Sequence, residues 1–319
     1  MFREVSANSN KKIMVQKSVL ITGGRGLVGR YLTSLLLLKG YSVSHLTRSD
    51  KGQNGVTVFK WNPEKGIIDK EALFGVNYLV HLAGASIGEK RCTNSRKKEI
   101  LNSRVRSADF LFNKIRNNSA DLEAFISASA VGYYGSVTSD KIYNESDPGG
   151  IDFLGSICKS WEEAAGQFSG IGIRTVKIRS GIVLEKTDSA LSKLMMPGKI
   201  GVPIKTGNGK QYMPWIHIKD LVNIYLKAIE DSAMEGAYNS VAPQYVTHNE
   251  FMTILGKVMK RTVLPVPVPA FLLKAVLGEM SEVILKGSRV SSKKIVDSGY
   301  VFNYPELEGA LTQIFNEGL

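Results

Sequence analysis

The chain has 319 residues, 43% hydrophobic and 22% charged with only 10 prolines, a balance that fits a folded globular protein and excludes a disordered or fibrous one. The net charge of +12 raises nucleic acid as a partner, but the basic residues are spread along the chain without a nucleic-acid-binding motif, which favours a solvated surface or attraction of a phosphorylated cofactor. The two cysteines, Cys92 and Cys158, indicate neither a disulfide framework nor a zinc site and favour a cytoplasmic protein.

The first segment of the chain, residues 1–17, is polar and basic without an apolar core, so we interpret it as an extension and not as a secretory signal. No apolar run reaches the roughly 20 residues of a membrane span. The late stretch VLPVPVPAFLLKAVLG is interrupted by three prolines and is interpreted as a wall or docking segment. We therefore expect no membrane partner.

A βαβ unit follows the extension. The segment KSVLITGGRGLVGRYLTSLLLLKGYSVSHLTRS changes from an apolar β-branched run, through a glycine turn, to a helical pattern and then to a strand at 42–47. Gly23, Gly26 and Gly29 lie between the first strand and the helix. Glycines there allow a tight turn, close approach to a pyrophosphate and close helix packing, and the helix N-terminus favours an anion. The unit predicts dinucleotide binding over a purely structural turn.

The end of the second strand distinguishes the two nicotinamide cofactors. An acidic residue there would bind the ribose 2′-hydroxyl, whereas an arginine would accommodate a 2′-phosphate. Arg48 lies near that position, and Arg25 adds a second positive charge within the glycine turn. Asp50 is the competing candidate, and a solvated strand end is the alternative for Arg48. The arginines favour NADP(H).

Strand and helix patterns alternate through the first half of the chain. Further strands are predicted at 57–61, 78–82, 124–128 and 175–178. Helices are predicted at 95–117 and 155–168. This alternation predicts an α/β fold with a parallel sheet covered on both faces. After about Gly181 the pattern loosens, with turns at 197–220 and separate helices at 221–229, 249–259 and 269–277, and we expect a smaller substrate-side lobe there.

Several motifs carry a family likeness. The turn TGGRGLVG, together with HLAG at 81–84, SASAVGYYG at 127–135 and WIHIKDL at 215–221, resembles the extended short-chain dehydrogenase/reductase superfamily. The segments AGASIGEKRCTNSRKKEILNSR, WEEAA, RSGIVL and MPWIHIKDL resemble its nucleotide-diphosphate-sugar epimerase-like subgroup, and residues 262–312 are similar to the small C-terminal domain of that subgroup. The likeness runs from about Ser18 to the end of the chain and departs at Cys92, where relatives usually have tryptophan.

The resemblance implies a Rossmann-type doubly wound parallel sheet over 18–184 that binds NADP(H), and a smaller C-terminal α/β lobe over 185–319, with the chain free to exchange between the lobes. A small-molecule substrate is expected in the cleft beneath the C-terminal lobe. Homo-oligomerisation is left open.

The resemblance also implies which residues contact the cofactor. The expected contacts are Gly23, Arg25, Gly26, Leu27, Val28 and Gly29 of the glycine turn, then Arg48, Leu82, Ala83 and Arg104. Glu99 and Glu162 are weaker candidates, because carboxylates near a polyanionic cofactor are better suited as partners of a ribose or an arginine. An exposed helix face is the alternative for both.

The catalytic pair of the superfamily is a tyrosine and a lysine in a Tyr-x-x-x-Lys spacing on one helix. That spacing places both side chains on one helical face, where the ammonium activates the phenol, and a serine on a neighbouring strand holds the substrate oxygen. Ser129 matches the serine, with Ser127 as the alternative if the register is shifted. Counting back from Glu162 places Cys158 at the lysine position and Leu154 at the tyrosine position.

No tyrosine of the chain is followed four residues later by a lysine, so the pair is absent. Lys159 is one residue from the lysine position, but one residue turns a side chain by about 100° around a helix. We therefore interpret Lys159 as a surface residue. Tyr133 and Tyr134 follow Ser129 at the carboxyl end of its strand, where doubly wound sheets bind ligands, and are the candidate proton donors; packing against the cofactor is the alternative.

Other catalytic classes find little support in the sequence. We interpret His217 as a structural hydrogen-bonding residue, with Asp220 capping the next helix. The remaining histidines form no metal-ligand spacing, so no metal is predicted, and no GxSxG elbow or P-loop indicates a hydrolase or a kinase.

Two functional hypotheses follow. The first is an NADP(H)-binding oxidoreductase or epimerase-like protein acting on a small carbonyl or sugar-like substrate. The second is a non-catalytic NADP(H)-binding protein with a regulatory or interaction role.

Overall fold

The centre of the molecule is an eight-stranded, mainly parallel sheet. The computed structural model describes residues 16–48, 54–86, 93–118, 122–189, 191–192, 204–261, 264–268 and 285–316. The strands are β1 (Ser18–Thr22), β2 (Ser42–Thr47), β3 (Thr57–Asn62), β4 (Ile67–Ile68), β5 (Tyr78–His81), β6 (Ala124–Ala130), β7 (Ile142–Tyr143), β8 (Arg174–Ser180), β9 (Ile182–Leu184), β10 (Ile204–Thr206), β11 (Trp215–His217), β12 (Gly236–Ser240), β13 (Leu264–Val268) and β14 (Arg289–Val290). The helices are α1 (Leu27–Leu38), α2 (Asn94–Asn118), α3 (Phe153–Gly166), α4 (Ile218–Glu230), α5 (His248–Met259), α6 (Lys293–Asp297) and α7 (Leu307–Asn316), with 3-10 turns at Pro63–Lys65, Val131–Tyr134 and Ser169–Ile171.

The strands of the central sheet lie in the order β12, β8, β6, β5, β1, β2, β3, β4. Every neighbouring pair is parallel except β3 with β4. This order confirms the predicted doubly wound parallel sheet, and the predicted bounds of its elements up to β8 lie within two residues of the observed ones. Most of the predicted extension, Cys92 and the predicted helix at 269–277 lie outside the described residues.

The register of the sheet shows that β6 and β8 extend further than β5 at the carboxyl edge. Thr22 at the end of β1 lies opposite His81 at the end of β5, and His81 lies opposite Ser127 of β6. β6 continues beyond that level to Ala130. Ser129 and the turn that follows it therefore lie at the same edge of the sheet as the glycine turn.

Both faces of the sheet are covered because successive strand residues point to opposite sides. On one face, Val19 and Ile21 of β1 join a buried cluster with side chains of α1 and α4. On the other face, Leu20 joins a buried cluster with Leu111 of α2 and Phe168, which follows α3.

A second core forms between the later elements. Trp215 of β11 packs with Phe251 of α5 and Leu311 of α7. In chain order, α4 and β12 lie between these elements, yet both pack on or pair with the central sheet. The chain therefore passes from one lobe to the other and back, as predicted. The lobe boundary at 184/185 stays a prediction. The prediction of turns throughout 197–220 is wrong for the described part, because β10, β11 and the start of α4 lie there. Strands of three residues are too short for a periodic pattern and depend on their partners β13 and β9.

The start of α4 corrects the predicted cap. His217, and not Asp220, is the capping residue, because its Nδ1 accepts the backbone N–H of Lys219 at 3.2 Å. Asp220 is fully buried and accepts hydrogen bonds from the Tyr300 hydroxyl at 2.9 Å and the Tyr304 N–H at 2.9 Å. Its carboxylate thus fastens the C-terminal segment to α4. Within the described part of the chain, no helix is both long and apolar enough to cross a membrane.

Candidate functional site

The turn between β1 and α1 contains two glycines, Gly23 and Gly29, at positions that leave no room for a side chain. Gly23 has a φ of 71°, and a Cβ there would lie 2.8 Å from the carbonyl carbon of Leu82. A Cβ on Gly29 would lie 2.5 Å from the carbonyl oxygen of Gly23. Gly26 is exposed and caps α1 without a side chain, and the first helical turn contains no acidic residue. The turn therefore offers the positive end of a helix to solvent at the carboxyl edge of the sheet.

A chain of buried hydrogen bonds ties this turn to the next strand. The Ala83 N–H donates to the Thr22 hydroxyl at 3.1 Å, and that hydroxyl lies 2.7 Å from His81 Nδ1. On the other side of the ring, His81 Nε2 lies 3.1 Å from the Ser107 hydroxyl, which donates to the Ser103 carbonyl at 2.7 Å. A neutral ring protonated on Nε2 satisfies all of these groups. Burial lowers the pKa of His81 to about 4, so the neutral ring persists at physiological pH.

Two exposed arginines stand at the edge beside the glycine turn. Arg25 lies within the turn and Arg48 follows the end of β2. Because β1 and β2 are neighbours in register, both arginines emerge at the same edge. The Leu27 and Val28 side chains pack against the core, so a ligand contact at these positions would fall to their backbone.

Arg104 of α2 lies behind the segment that follows β5. It is buried and donates to the Ala85 carbonyl at 3.0 Å, and its guanidinium carbon lies 4.7 Å from the centre of the Trp161 ring. Burial lowers the pKa of Arg104 to about 10, which leaves it charged at neutral pH. Arg104 therefore shapes the strand end next to Leu82 and Ala83.

Arg96, which lies about two turns before Arg104 on α2, contacts the next residue of the segment that follows β5. It is buried, donates to the Ser86 carbonyl and pairs with Glu99 at 2.7 Å. Glu99 is exposed and thus lies on an exposed helix face as an arginine partner. The basic residues were expected to form a solvated surface, and the burial of Arg96 is an exception to that expectation.

A buried ion pair lies beneath the end of β6. Glu162 of α3 accepts two hydrogen bonds from Arg179 of β8, at 2.7 Å and 2.8 Å, and a third from the Ser129 hydroxyl at 2.7 Å. Burial disfavours the charged guanidinium, but the hydrogen bonds and charge of Glu162 outweigh it and hold the pKa of Arg179 above its usual range. Arg179 also donates to the Tyr134 hydroxyl at 3.0 Å, which in turn donates to Asn239 at 2.7 Å.

This network contains three of the residues predicted for the site. Ser129 is only 2% exposed, and its hydroxyl donates a hydrogen bond to Glu162. Both observations are at odds with a hydroxyl that holds a substrate oxygen. Tyr134 is 1% exposed, its hydroxyl is hydrogen-bonded on both sides, and burial raises its pKa to about 12, which is at odds with proton donation to a ligand. Glu162 is a buried arginine partner, which is one of the two roles that the sequence favoured for it, and the alternative of an exposed helix face does not apply to it.

The places expected for the catalytic pair hold apolar or neutral groups. A Cβ on Gly132 would lie 3.7 Å from Leu154 Cβ and 3.6 Å from Cys158 Sγ, so both side chains lie under the turn that follows β6. Burial raises the pKa of Cys158 to about 12, which keeps its thiol neutral. Neither residue can supply the proton or the positive charge of the missing pair.

Tyr133 is the half-buried tyrosine of the turn after β6. Its ring centre lies 3.5 Å from the guanidinium carbon of Arg179, and its hydroxyl end lies against Gly149. The exposed Lys159 lies against the same glycine. Arg179 was not among the site residues predicted from the sequence. The one available signal was its position as a charged residue near the end of the strand TVKIRS.

The structure thus gathers the glycine turn, Arg48, the end of β5 and Tyr133 along one edge of the sheet. It places Ser129, Tyr134 and Glu162 behind that edge, where Ser129 and Arg179 both donate to Glu162 and Arg179 also donates to Tyr134. No group of three histidine, cysteine, aspartate or glutamate side chains among the described residues could hold a metal ion.

Comparison with known proteins shows which family the chain resembles over most of its length. Residues 19–151 match the NAD dependent epimerase/dehydratase family, and residues 268–314 match a domain of unknown function, DUF1731. The chain is 33% identical over 300 residues to the epimerase family protein SDR39U1 of Mus musculus, which covers 93% of this chain and 99% of the relative. It is 33% identical over 299 residues to the epimerase family protein YfhF of Bacillus subtilis, covering 93% and 97%. The crystal structure of the human epimerase family protein SDR39U1 with NADPH superimposes with a TM-score of 0.84 at 31% identity, covering 94% of this chain and 99% of that one.

Proposed function

The chain belongs to the epimerase family, and from that premise we propose that it binds NADP(H) and acts as an oxidoreductase or epimerase-like enzyme on a small carbonyl or sugar-like substrate. The observation that carries the proposal is the glycine turn with the two arginines beside it. The solved human relative in complex with NADPH supports the choice of cofactor.

The residues at the carboxyl edge fit a dinucleotide. Gly26 is exposed at the start of α1, where a pyrophosphate would meet the helix N-terminus. Gly23 and Gly29 hold the turn in contact with β5 and with itself, at positions where a Cβ would collide with backbone atoms. Arg25 and Arg48 supply positive charge for a 2′-phosphate.

The arginines provide the test of cofactor choice. In the Arg48→Ala variant we expect the affinity for NADPH to fall by about tenfold, because one charge-assisted contact to a phosphate is lost. The affinity for NADH, which lacks that phosphate, should stay the same. Fluorescence titration of both cofactors measures this, with Lys39→Ala as the control at another exposed cation. Unchanged NADPH affinity would show that Arg48 is a solvated strand end.

The bound nicotinamide would supply hydride exchange with the substrate. On the protein side, Tyr133 is the best candidate for the proton that accompanies it, since it is the half-buried tyrosine at this edge. Ser129 has a positioning role. Its hydroxyl donates to Glu162, and Glu162 fixes the Arg179 guanidinium against the Tyr133 ring.

A non-catalytic NADP(H)-binding role is the second candidate, and the observation that favours it is the replacement of the catalytic pair by Leu154 and Cys158. Screening carbonyl compounds and nucleotide sugars for NADPH oxidation separates the two functions. Turnover that Tyr133→Phe abolishes would support the enzyme. Tight NADPH binding without turnover across the screen would favour the second candidate.

A further inference from the structure

A histidine of β2 fills the space beside the second glycine of the β1–α1 turn. Apart from its chain neighbours, the three atoms nearest to a Cβ on Gly24 all belong to the imidazole of His45, with Cδ2 at 2.6 Å, Cε1 at 2.5 Å and Nε2 closer still. Gly24 lies outside the left-handed region of φ, so its backbone would accept a side chain. Glycine is therefore required at this position because of the His45 ring.

The ring is fixed by its surroundings. His45 is 2% exposed and lies opposite Ile21 of β1 and Val58 of β3 in the sheet. Its Nε2 lies 2.8 Å from the hydroxyl of Thr33, a fully buried residue of α1. Burial lowers the pKa of His45, so the ring is neutral at physiological pH. His45 therefore acts on the turn through its shape and position and adds no charge to the site.

The turn is supported at two corners. The Gly26 N–H donates to the Gly23 carbonyl at 2.9 Å, which makes Gly24 and Arg25 the central residues of a four-residue turn. The Gly23 corner packs against the backbone that follows β5, whereas the Gly24 corner packs against His45. The backbone that carries Arg25 is thus held between β5 and β2.

The contact joins the two segments that carry the arginines proposed for the 2′-phosphate. Arg25 directly follows Gly24, and His45 lies three residues before Arg48 on the same strand. A phosphate that binds two guanidinium groups requires both at a fixed separation, because charge-assisted hydrogen bonds depend on geometry. The packing of Gly24 on His45 sets the position of the turn relative to β2.

We propose that His45 is a positioning residue for cofactor choice, which holds the turn at the distance from Arg48 at which Arg25 and Arg48 bind one 2′-phosphate. The proposal rests on the proposed function, since it concerns the cofactor assigned there. NADH lacks the 2′-phosphate, so a change at His45 should weaken NADPH binding more than NADH binding. A residue with only a structural role would weaken both alike, because the two cofactors share the rest of their structure.

Fluorescence titration of NADPH and NADH tests this role. We expect the preference for NADPH over NADH to fall by about fivefold in His45→Ala, because the two arginines no longer bind the phosphate together. Val43→Ala is the matched control, since Val43 is buried in the same face of β2 but lies further from the turn. It should leave the preference unchanged. Equal preference in wild type and His45→Ala would overturn the proposal.

A second pair of variants tests the contact from the other side. In Gly24→Ala the methyl group would collide with the His45 ring, and the preference for NADPH should fall. In the double variant Gly24→Ala/His45→Ala the methyl group enters the space that the ring has left, so part of the preference should return. A double variant with no more preference than Gly24→Ala would contradict the contact.

The same titrations separate this role from the proposed function. If wild type binds no NADPH, the proposed function fails and the role of His45 fails with it. If Arg48→Ala lowers the preference for NADPH but His45→Ala and Gly24→Ala leave it unchanged, the proposed function stands and the role of His45 is overturned. A preference that falls in all three variants supports both.

Discussion

Among single residues, Glu162 and Arg179 connect several side chains of the candidate site. Their side chains are 7% and 4% exposed and joined by two short hydrogen bonds. A buried ion pair contributes little over an apolar replacement, but removal of one partner leaves an unpaired buried charge, which is costly. The pair also holds the Ser129 hydroxyl and the guanidinium under Tyr133. Its role is therefore to position the edge of the site.

Replacement of Glu162 by glutamine tests this role. We expect Glu162→Gln to lower the free energy of unfolding by about 3 kcal/mol, because Arg179 loses its counter-charge inside the protein. Urea unfolding measures the loss. Glu163→Gln, at the exposed neighbouring position, is the matched control and should change stability by less than about 0.5 kcal/mol. Equal unfolding midpoints for the two variants would contradict the role.

At the scale of elements, the β1–α1 turn separates glycines needed for folding from a glycine suited to binding. A Cβ on Gly29 would meet backbone atoms of Gly23 and Gly24 at 2.5 to 2.7 Å. A Cβ on Gly26 would meet only the Gly23 carbonyl oxygen, at 3.3 Å, and would otherwise point toward open space. The same turn therefore carries two different constraints on side-chain size.

The two alanine variants should differ accordingly. Gly29→Ala should lower stability by about 2 kcal/mol or more, since backbone atoms cannot move away as a flexible side chain can. Gly26→Ala should keep nearly full stability but weaken NADPH binding by about tenfold, because a methyl group would stand where backbone approaches pyrophosphate. Thermal unfolding and cofactor titration measure both. Gly26→Ala with unchanged NADPH affinity would place the cofactor elsewhere.

At the scale of the whole molecule, His81 couples proton uptake to stability. It joins β1, β5 and α2 through Thr22 and Ser107, and burial lowers its pKa to about 4. In the unfolded chain the imidazole pKa is about 6.5, so between these values the unfolded state takes up a proton that the native state excludes. The contribution of His81 is thus complete at neutral pH and is lost as pH falls. His45, whose pKa burial also lowers, acts in the same direction.

The pH dependence of unfolding tests this coupling. Between pH 6.5 and pH 5, above the range in which most carboxylates titrate, His81 should account for a loss of roughly 1 to 2 kcal/mol of stability. Urea unfolding at the two pH values measures it in wild type and in His81→Asn. The loss should be smaller in the variant by that amount. An NMR resonance of His81 that titrates near pH 6.5 in the native protein would contradict the prediction.

Local patterns in the chain were enough to predict the central sheet, its glycine turn and the edge at which we propose that the cofactor binds. Strand and helix periods and the spacing of Gly23, Gly26 and Gly29 are properties of neighbouring residues, so they can be recognised without a fold. The absence of a Tyr-x-x-x-Lys pair is likewise readable from the sequence. Three-residue strands such as β10 and β11 were missed, because their identity depends on partners distant in the chain.

Only the tertiary structure decided which polar residues face the open edge of the sheet and which face each other. Ser129 matched a catalytic serine by motif, yet its hydroxyl donates a hydrogen bond to Glu162. Glu162 in turn accepts hydrogen bonds from Arg179 of another strand. Lys159 lies one residue from the expected position on its helix, yet it lies against the same glycine as Tyr133 from another element. Contacts between elements depend on how strands and helices pack, and residue spacing along one element carries no record of that packing.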